Sequence, residues 1–276
     1  MNERGMFAYV VLSLVLMGLV VPFIFAQQVT PEGPDSINVT SSQRGPENRT
    51  GVAVVAQAGN VTGLKVSGTR ITQAWQGYYG NVTGDIVLDD SAGFRFYNWQ
   101  VANPRGEIFA SNGTVDNWLS VYCLDTDQNE GYGQNESNFT LPLTRPDGSV
   151  SSVNTSRIEL SYGINQTDLD GLNETFLGSF TGSIVVAGRT IDATDDCSVA
   201  HPYADSAPSA IWDEILLSDN DSLIFTSIIE EDAVDYRGNS TPGGGNTSDF
   251  QMLVLENGHT QQSLTTTTYL FYIELT

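Results

Sequence analysis

Short apolar runs bounded by Gly, Asn, Asp or Ser recur along the chain from residue 51 onwards. They are rich in β-branched and aromatic residues, and several alternate apolar with polar side chains, which is the pattern of β-strands. In the last run, Tyr269, Phe271 and Ile273 alternate with Leu270, Tyr272 and Glu274. The predicted strands are GVAVVAQA, GLKVSGT, DIVLDD, FRFYNWQVA, GEIFAS, SRIELSYGI, FTGSIVVAG, SLIFTSIIE, FQMLVLE and TTTTYLFYIEL.

Helical signals are weak. Residues Ala207–Leu217 suit a helix or a strand equally, and Asp168–Phe176 predicts one helical turn. The pattern therefore predicts an all-β fold, an antiparallel β-sandwich of immunoglobulin-like or jelly-roll-like type, with an N-terminal signal or anchor helix.

The N-terminal residues 1–26 predict a signal peptide or a membrane anchor. Residues 6–26 are uncharged and follow Arg4, which is typical of both. A small residue, Ala26, precedes Gln27 and favours cleavage between them, with an uncleaved anchor as the alternative.

A third interpretation of this segment is a filament leader. Arg4-Gly5 before a long apolar run resembles the leader of archaeal type IV pilin-like proteins, which is cut after such a glycine. Pro22 interrupts the run, and the acidic residue expected near the start of the mature helix is missing.

Residues 27–50 contain three prolines and two glycosylation motifs. They predict a disordered, glycosylated linker, which leaves residues 51–276 as one β-sandwich domain. A division near residues 141–155 is the alternative to a single unit.

The strongest signal is the number of N-glycosylation motifs. Of 19 asparagines, 13 begin Asn-X-Ser/Thr with X not proline, whereas the Ser and Thr content gives about 3 or 4 by chance. Each used site must face solvent, because the glycan is bulky and hydrophilic. The predicted sites are Asn38, Asn48, Asn60, Asn81, Asn112, Asn135, Asn138, Asn154, Asn165, Asn173, Asn220, Asn239 and Asn246.

The chain is strongly acidic, with 33 acidic against 11 basic residues and a net charge of −22. Such a field repels phosphate backbones and anionic lipid, so we expect no nucleic-acid partner. It suits a protein that stays soluble, attracts cations or works in high salt.

The two cysteines, Cys123 and Cys197, predict a disulfide in an exported protein. The alternative is a pair of buried thiols.

We expect no enzyme and no required cofactor. The two histidines, His201 and His259, lie in predicted loops, and no spacing singles out a carboxylate pair for hydrolysis. Asp125, Asp127 and Asn129 alternate like the start of a calcium loop, but the glycine that follows comes one position late. A second acidic cluster spans residues 168–174. Either cluster is a candidate site for structural Ca²⁺, and an acidic turn is the alternative.

Trp75, Tyr78 and Tyr79 form an aromatic cluster beside a glycosylation motif. Exposed rings of this kind stack on sugars, so the cluster is a candidate glycan-binding platform. The alternative places Trp75 in the core and the tyrosines at a rim.

Across residues 59–276, the sequence resembles a family of secreted cell-surface glycoproteins from small-genome (DPANN-type) archaea. The resemblance rests on TQAWQGYYGNVTGDIVLDD, FYNWQVANPRGEIFASN, the segment around Cys123, DGLNETF and DFQMLVLENGHTQQSLTTTTYLFYIEL. It implies an archaeal cell envelope, one exported β domain and a half-cystine pair. It supplies no catalytic residues.

These observations predict an extracellular coat or S-layer-like structural glycoprotein that associates with itself or with other envelope proteins through sheet edges or faces. One alternative is an adhesin or sugar-binding module that contacts surface glycans of a neighbouring cell. The other is a pilus-like filament subunit.

Overall fold

The computed structural model describes residues 29–44, 50–100, 104–124, 143–144, 150–151, 155–165, 167–195, 197–204, 207–208, 212–219, 221–230, 247–256 and 266–276. The strands are β1 (Trp75–Gly80), β2 (Asp85–Asp89), β3 (Arg95–Gln100), β4 (Gly106–Ser111), β5 (Tyr122–Cys123), β6 (Leu143–Thr144), β7 (Val150–Ser151), β8 (Gly178–Ser179), β9 (Ser183–Val186), β10 (Arg189–Asp192), β11 (Ser198–Ala200), β12 (Tyr203–Ala204), β13 (Ala207–Pro208), β14 (Glu214–Ser218), β15 (Leu223–Ile229), β16 (Phe250–Leu255) and β17 (Leu270–Leu275). The helices are α1 (Thr155–Ser161) and α2 (Leu172–Thr175), with a 3₁₀ turn at Trp118–Ser120.

A seven-stranded antiparallel sheet forms the centre of the described fold. Its strands run β17-β4-β15-β14-β11-β8, and β5 also pairs with β14. The sheet is built from the most continuously apolar sequences, since β14 and β15 are buried along almost their whole length. A sheet that is apolar on both faces needs cover on both faces.

Each face of the sheet has its own cover, because successive side chains of a strand point to opposite sides. On the first face, Phe225 and Leu216 belong to a core that includes Met252 and Val254 of the β1–β16 pair. The second core lies against the β9–β10 hairpin and contains Phe109, Ile215, Leu217, Ile224, Ile184 and Val186.

The β9–β10 hairpin turns at Ala187 and Gly188, whose φ values are 49° and 71°. Positive φ at both central residues belongs to the tight turn whose twist matches that of the flanking strands. The hairpin therefore returns directly over the sheet, with Val186 opposite Arg189.

The predicted all-β antiparallel fold is confirmed. The predicted strand SRIELSYGI is wrong, because α1 occupies most of it: Ile158 and Tyr162 are buried one helical turn apart, while Leu160 between them is exposed. The predicted turn near Asp168–Phe176 contains α2.

The prediction that GVAVVAQA and GLKVSGT form strands is also wrong in the single chain. Residues 51–70 are described and exposed, and they have no strand structure. In the predicted linker, Glu32 forms an antiparallel bridge with Ile273 of β17, so this part is attached to the fold. The predicted signal or anchor helix lies outside the described residues. Among the helices that are described, none combines the length and the apolarity needed to cross a membrane.

Candidate interaction surface

The hairpin formed by β2 and β3, residues 85–100, carries the largest group of exposed apolar side chains in the described structure; we call it the aromatic arm. Its two strands pair antiparallel, with Ile86 opposite Trp99 and Leu88 opposite Tyr97. Directly opposite residues share a face. The register therefore places these four apolar side chains together on one side of the hairpin.

The turn of the arm is well formed. One carboxylate oxygen of Asp90 accepts from the backbone N–H groups of Ala92 and Phe94, both at 2.9 Å. Gly93 supplies a positive φ of 81°, which glycine adopts without steric cost. The exposed side chains of the arm therefore belong to an ordered hairpin.

The apolar face of the arm lies open to solvent. Ile86, Leu88, Tyr97 and Trp99 are 47%, 49%, 54% and 50% exposed, and Phe94 and Phe96 near the turn are 74% and 81% exposed. The rings of Tyr97 and Trp99 lie 4.6 Å apart between centroids. A register shift next to Leu88 leaves Phe96 outside the regular pairing.

The other side of the arm is mainly polar, and it also carries Val87, which is 37% exposed. Asn98 Nδ2 donates to Asp85 Oδ2 at 2.8 Å, and Arg95 Nε lies 3.2 Å from Asp89 Oδ1. The arm is consequently amphipathic, although within the described residues nothing covers its apolar face.

The exposed area of the arm is large enough to matter for binding. A whole aromatic side chain buries about 150–250 Å², so the exposed parts of the four aromatic residues amount to about 500 Å². Patches of about 300–600 Å² on monomers often have a function, and a standard protein interface buries about 800 Å² per partner. Over both sides of the arm, the four aromatics thus expose more than half of the area that one partner contributes to an ordinary interface.

The predicted aromatic platform is not assembled. The Trp75 ring packs at 6.0 Å from Phe176, and its Nε1 donates to the Asp170 carbonyl at 2.7 Å. Tyr78 meets Phe271 edge to face. Tyr79 is 38% exposed, with its hydroxyl 3.3 Å from Ser41 Oγ. Only one of the three predicted rings is substantially exposed.

The described glycosylation motifs lie at the surface. Of the six motif asparagines that the structure describes, Asn173 is half-buried. The other five are exposed, namely Asn38, Asn60, Asn81, Asn112 and Asn165. Asn112 is also structural, because its Nδ2 donates to the Tyr162 hydroxyl at 2.9 Å and its Oδ1 accepts from Leu223 N at 2.8 Å. The sites outside the described residues are Asn48, Asn135, Asn138, Asn154, Asn220, Asn239 and Asn246.

Cys123 and Cys197 form the predicted disulfide, with 4.7 Å between their Cα atoms. The bond joins β5 to the residue before β11, and both strands pair with β14. Since β15 occupies the other edge of β14, the bond joins the two segments that share one edge of this central strand.

The calcium candidates Asp125, Asp127 and Asn129 lie outside the described residues, as does His259. The second acidic cluster contains α2, whose N-terminal end binds the side chain of Glu159 from α1. Glu159 Oε1 accepts hydrogen bonds from Leu172 N and Asn173 N. Among the described residues no group of three or more His, Cys, Asp or Glu side chains is placed to hold a metal ion. His201 pairs with Asp213, at 2.8 Å between Nδ1 and Oδ1.

Three glutamates are buried in the central sheet. Glu107 and Glu274 are opposite each other on β4 and β17, under the β9–β10 hairpin. Burial, followed by the charge of neighbouring Glu274, raises the pKa of Glu107 to about 8. A hydrogen bond from Val185 N–H acts in the opposite direction and lowers this pKa. Burial also raises the pKa of Glu274, whose Oε2 accepts from Ala187 N at 3.0 Å, and raises the pKa of Glu214 well above its ordinary value.

These carboxyl groups have no cationic partner in the described structure. Its Arg–carboxylate ion pairs join Arg95 to Asp89 and Arg189 to Asp195. A buried carboxyl without a counter-charge is more stable in its neutral form. The three glutamates therefore make the sheet more stable in acid than in base.

The fold and its surface define a disulfide-bonded, all-β protein that presents an amphipathic hairpin. Comparisons with protein-family models, with curated proteins and with solved structures found no match.

Sequence reasoning predicted the arm as two strands but missed it as a surface. The signal lay in FRFYNW, where Phe96 follows the opposite alternation from Tyr97 and Trp99. Aromatic side chains on both sides of a short strand need cover on both sides, which two strands alone do not provide.

Proposed function

We propose that this chain is a secreted structural glycoprotein of an archaeal cell envelope, which self-associates through its aromatic arm. The observation that carries the proposal is the ordered hairpin with its exposed face of Ile86, Leu88, Tyr97 and Trp99. The family resemblance described above supports the archaeal envelope.

A second copy of the same chain is the occupant that suits this face best. The chain carries a net charge of −22, so two copies repel each other wherever acidic surfaces meet. The four residues of the apolar face are uncharged, and one such face is complementary to another across a two-fold axis. Two arms in contact through this face would cover about 200 Å² of aromatic surface on each copy, from Tyr97 and Trp99, in addition to Ile86 and Leu88.

The other features suit a protein outside the membrane. The 13 glycosylation motifs favour a sugar-covered exterior. The Cys123–Cys197 disulfide suits an oxidising compartment. A sugar coat around an uncovered arm would direct association to that arm, because glycans block the other surfaces.

The test replaces Trp99 in the full exported chain with two different residues. Trp99→Ser removes the apolar surface, whereas Trp99→Leu keeps most of it. Sedimentation velocity over a range of concentrations should show association of the wild type and of Trp99→Leu, and at least tenfold weaker association of Trp99→Ser. Leu177→Ser is the matched control, since Leu177 is an exposed apolar residue outside the arm. Association that is unchanged in Trp99→Ser would contradict the proposal.

A sugar-binding adhesin is the second candidate, and the neighbouring rings of Tyr97 and Trp99 favour it. Sugars stack on aromatic faces, so both Trp99→Ser and Trp99→Leu would lose glycan binding. The Trp99→Leu variant thus separates the two functions. If it retains association and the wild type binds no glycan on an array, the adhesin hypothesis fails.

A further inference from the structure

A second unpartnered apolar element precedes β1. Residues 51–57, with the sequence GVAVVAQ, are described but have no strand structure; we call them the donor segment. Val52 and Val55 are 92% and 94% exposed, and Val54 is 59% exposed. A turn follows, with Asn60 N donating to the Gln57 carbonyl and Gly59 at a φ of 87°. The donor segment is therefore a separate stretch that ends before the glycosylation motif at Asn60.

The composition of the donor segment is that of a strand. Flexible linkers and disordered segments are poor in β-branched residues, whereas this one has three valines in seven residues. In an extended strand, Val52 and Val54 point to one side, and Ala53 and Val55 to the other. A strand that is apolar on both sides belongs in a sheet with both faces covered, and the central sheet is such a sheet.

The central sheet has an edge that can accept another strand. Ile273 of β17 uses its outward N–H and C=O in two hydrogen bonds with Glu32, of 2.8 and 3.0 Å. Polar groups alternate along an antiparallel strand, so those of Phe271 and Leu275 point to the same outer side. In the described part of the chain these two residues have no backbone partner on that side.

The Glu32 bridge shows how the edge of β17 is used. It is antiparallel and one residue long, so this edge already accepts a piece of extended chain. Replacing it displaces only two backbone hydrogen bonds. A seven-residue strand along the six residues of β17 would form more hydrogen bonds than it displaces.

The charge of the surrounding chain favours docking on another copy. Residues 48–84 contain no acidic residue, although the whole chain has 33, and they include Arg49, Lys65 and Arg70. This positive stretch is complementary to the acidic remainder of a neighbouring copy.

We propose that the donor segment of one copy adds as an antiparallel edge strand to β17 of a second copy. The inference deepens the proposed self-association and rests on it. Contact between donor segment and β17 is head-to-tail, so it repeats from copy to copy and builds a chain of subunits, which stays open unless the rotation between copies closes it into a ring. Contacts between arms would then join such chains side by side.

The test uses the full exported chain carrying Trp99→Ser, so that association through the arm does not contribute. Val54→Pro disables the donor segment, because proline lacks the N–H that a strand donates. Phe271→Pro disables the edge, since it removes an N–H that points away from β4. Val66→Pro is the control, in the same exposed stretch but outside the donor segment.

We expect the parent and Val66→Pro to form chains in sedimentation velocity, and each of the two disabled variants to remain monomeric. Mixing Val54→Pro with Phe271→Pro should give dimers only, because one intact edge meets one intact donor segment. If both variants are folded and stay monomeric on mixing, the inference is overturned. Chains formed by Val54→Pro alone would overturn it as well.

Two further measurements cover a Phe271→Pro variant that does not fold and a parent that does not associate. If Phe271→Pro does not fold, amide hydrogen exchange on the parent replaces it. Protection of residues 51–57 that rises with protein concentration supports the inference, and protection that is absent or independent of concentration overturns it. A parent that is monomeric at every concentration would overturn the donor contact, while Val54→Pro in the chain with Trp99 intact tests the arm separately.

Discussion

Two strand pairs of this molecule have similarly apolar sequences and opposite environments. In β14 and β15, Leu216 lies opposite Phe225 and both side chains are fully buried. In the aromatic arm, Leu88 lies opposite Tyr97 and each side chain is about half exposed. The comparison teaches that alternation and β propensity specify a strand and its register, while burial depends on what the rest of the chain brings to each face.

The largest expected effect comes from truncating the same residue type in the two pairs. Leu216→Ala leaves a cavity in the core and should lower the free energy of unfolding by about 2–5 kcal/mol. Leu88→Ala should change it by at most about 0.5 kcal/mol, because Leu88 is already about half exposed and its truncation leaves no enclosed cavity. Urea unfolding of dispersed protein measures both. Equal losses would mean that the arm is packed against the body in solution.

The next effect concerns the buried carboxyl of Glu107. Its pKa in the folded chain, about 8, lies above the ordinary 4.5. The folded form therefore holds a proton that the unfolded form loses, and stability falls as the pH rises from 4.5 to about 8. Glu107→Gln removes this loss. We expect the variant to gain on the order of 2–4 kcal/mol over the wild type at pH 9, and little at pH 4.

Urea unfolding from pH 4 to pH 9 checks this prediction. Glutamine keeps an oxygen that can accept from Val185 N–H. Glu230→Gln serves as an exposed control and should leave the slope unchanged. A wild type whose stability rises between pH 5 and pH 8 would contradict the account of its buried glutamates.

The smallest effect separates glycosylation from structure. In chain made without glycans, Asn112→Gln should cost about 1–2 kcal/mol, because the longer side chain misplaces the bonds to Tyr162 and Leu223. Asn60→Gln should cost at most about 0.5 kcal/mol, since Asn60 is exposed in the stretch before β1. Thermal unfolding of the two variants gives the comparison. Equal stability would mean that the side-chain bonds of Asn112 contribute nothing.

Most of the sheet could be predicted from the sequence, because strands such as β15 and β17 combine alternation with β-branched and aromatic residues. The helix α1 could not, since Ile158, Leu160 and Tyr162 also fit the alternation of a strand. What decides is that only Ile158 and Tyr162 have a surface to pack against.

The candidate surface was less predictable than the fold. The disulfide followed from the presence of two cysteines in an exported chain. The exposure of the arm and of the donor segment did not follow, because an apolar strand looks the same whether its partner belongs to the same chain or to another. The burial of Glu107 and Glu274 was hidden for a related reason, since charged residues are seldom buried without a partner.

The central claim is that the exposed face of the arm is covered by another copy of this chain. Hydroxyl-radical footprinting with mass spectrometry tests it on dispersed and on assembled wild-type protein. Trp212 is fully buried and provides an internal reference that should resist oxidation in both. The account predicts that Tyr97 and Trp99 are oxidised readily in dispersed chains and at least several-fold more slowly after assembly. Equal oxidation of these two residues in both states would contradict it.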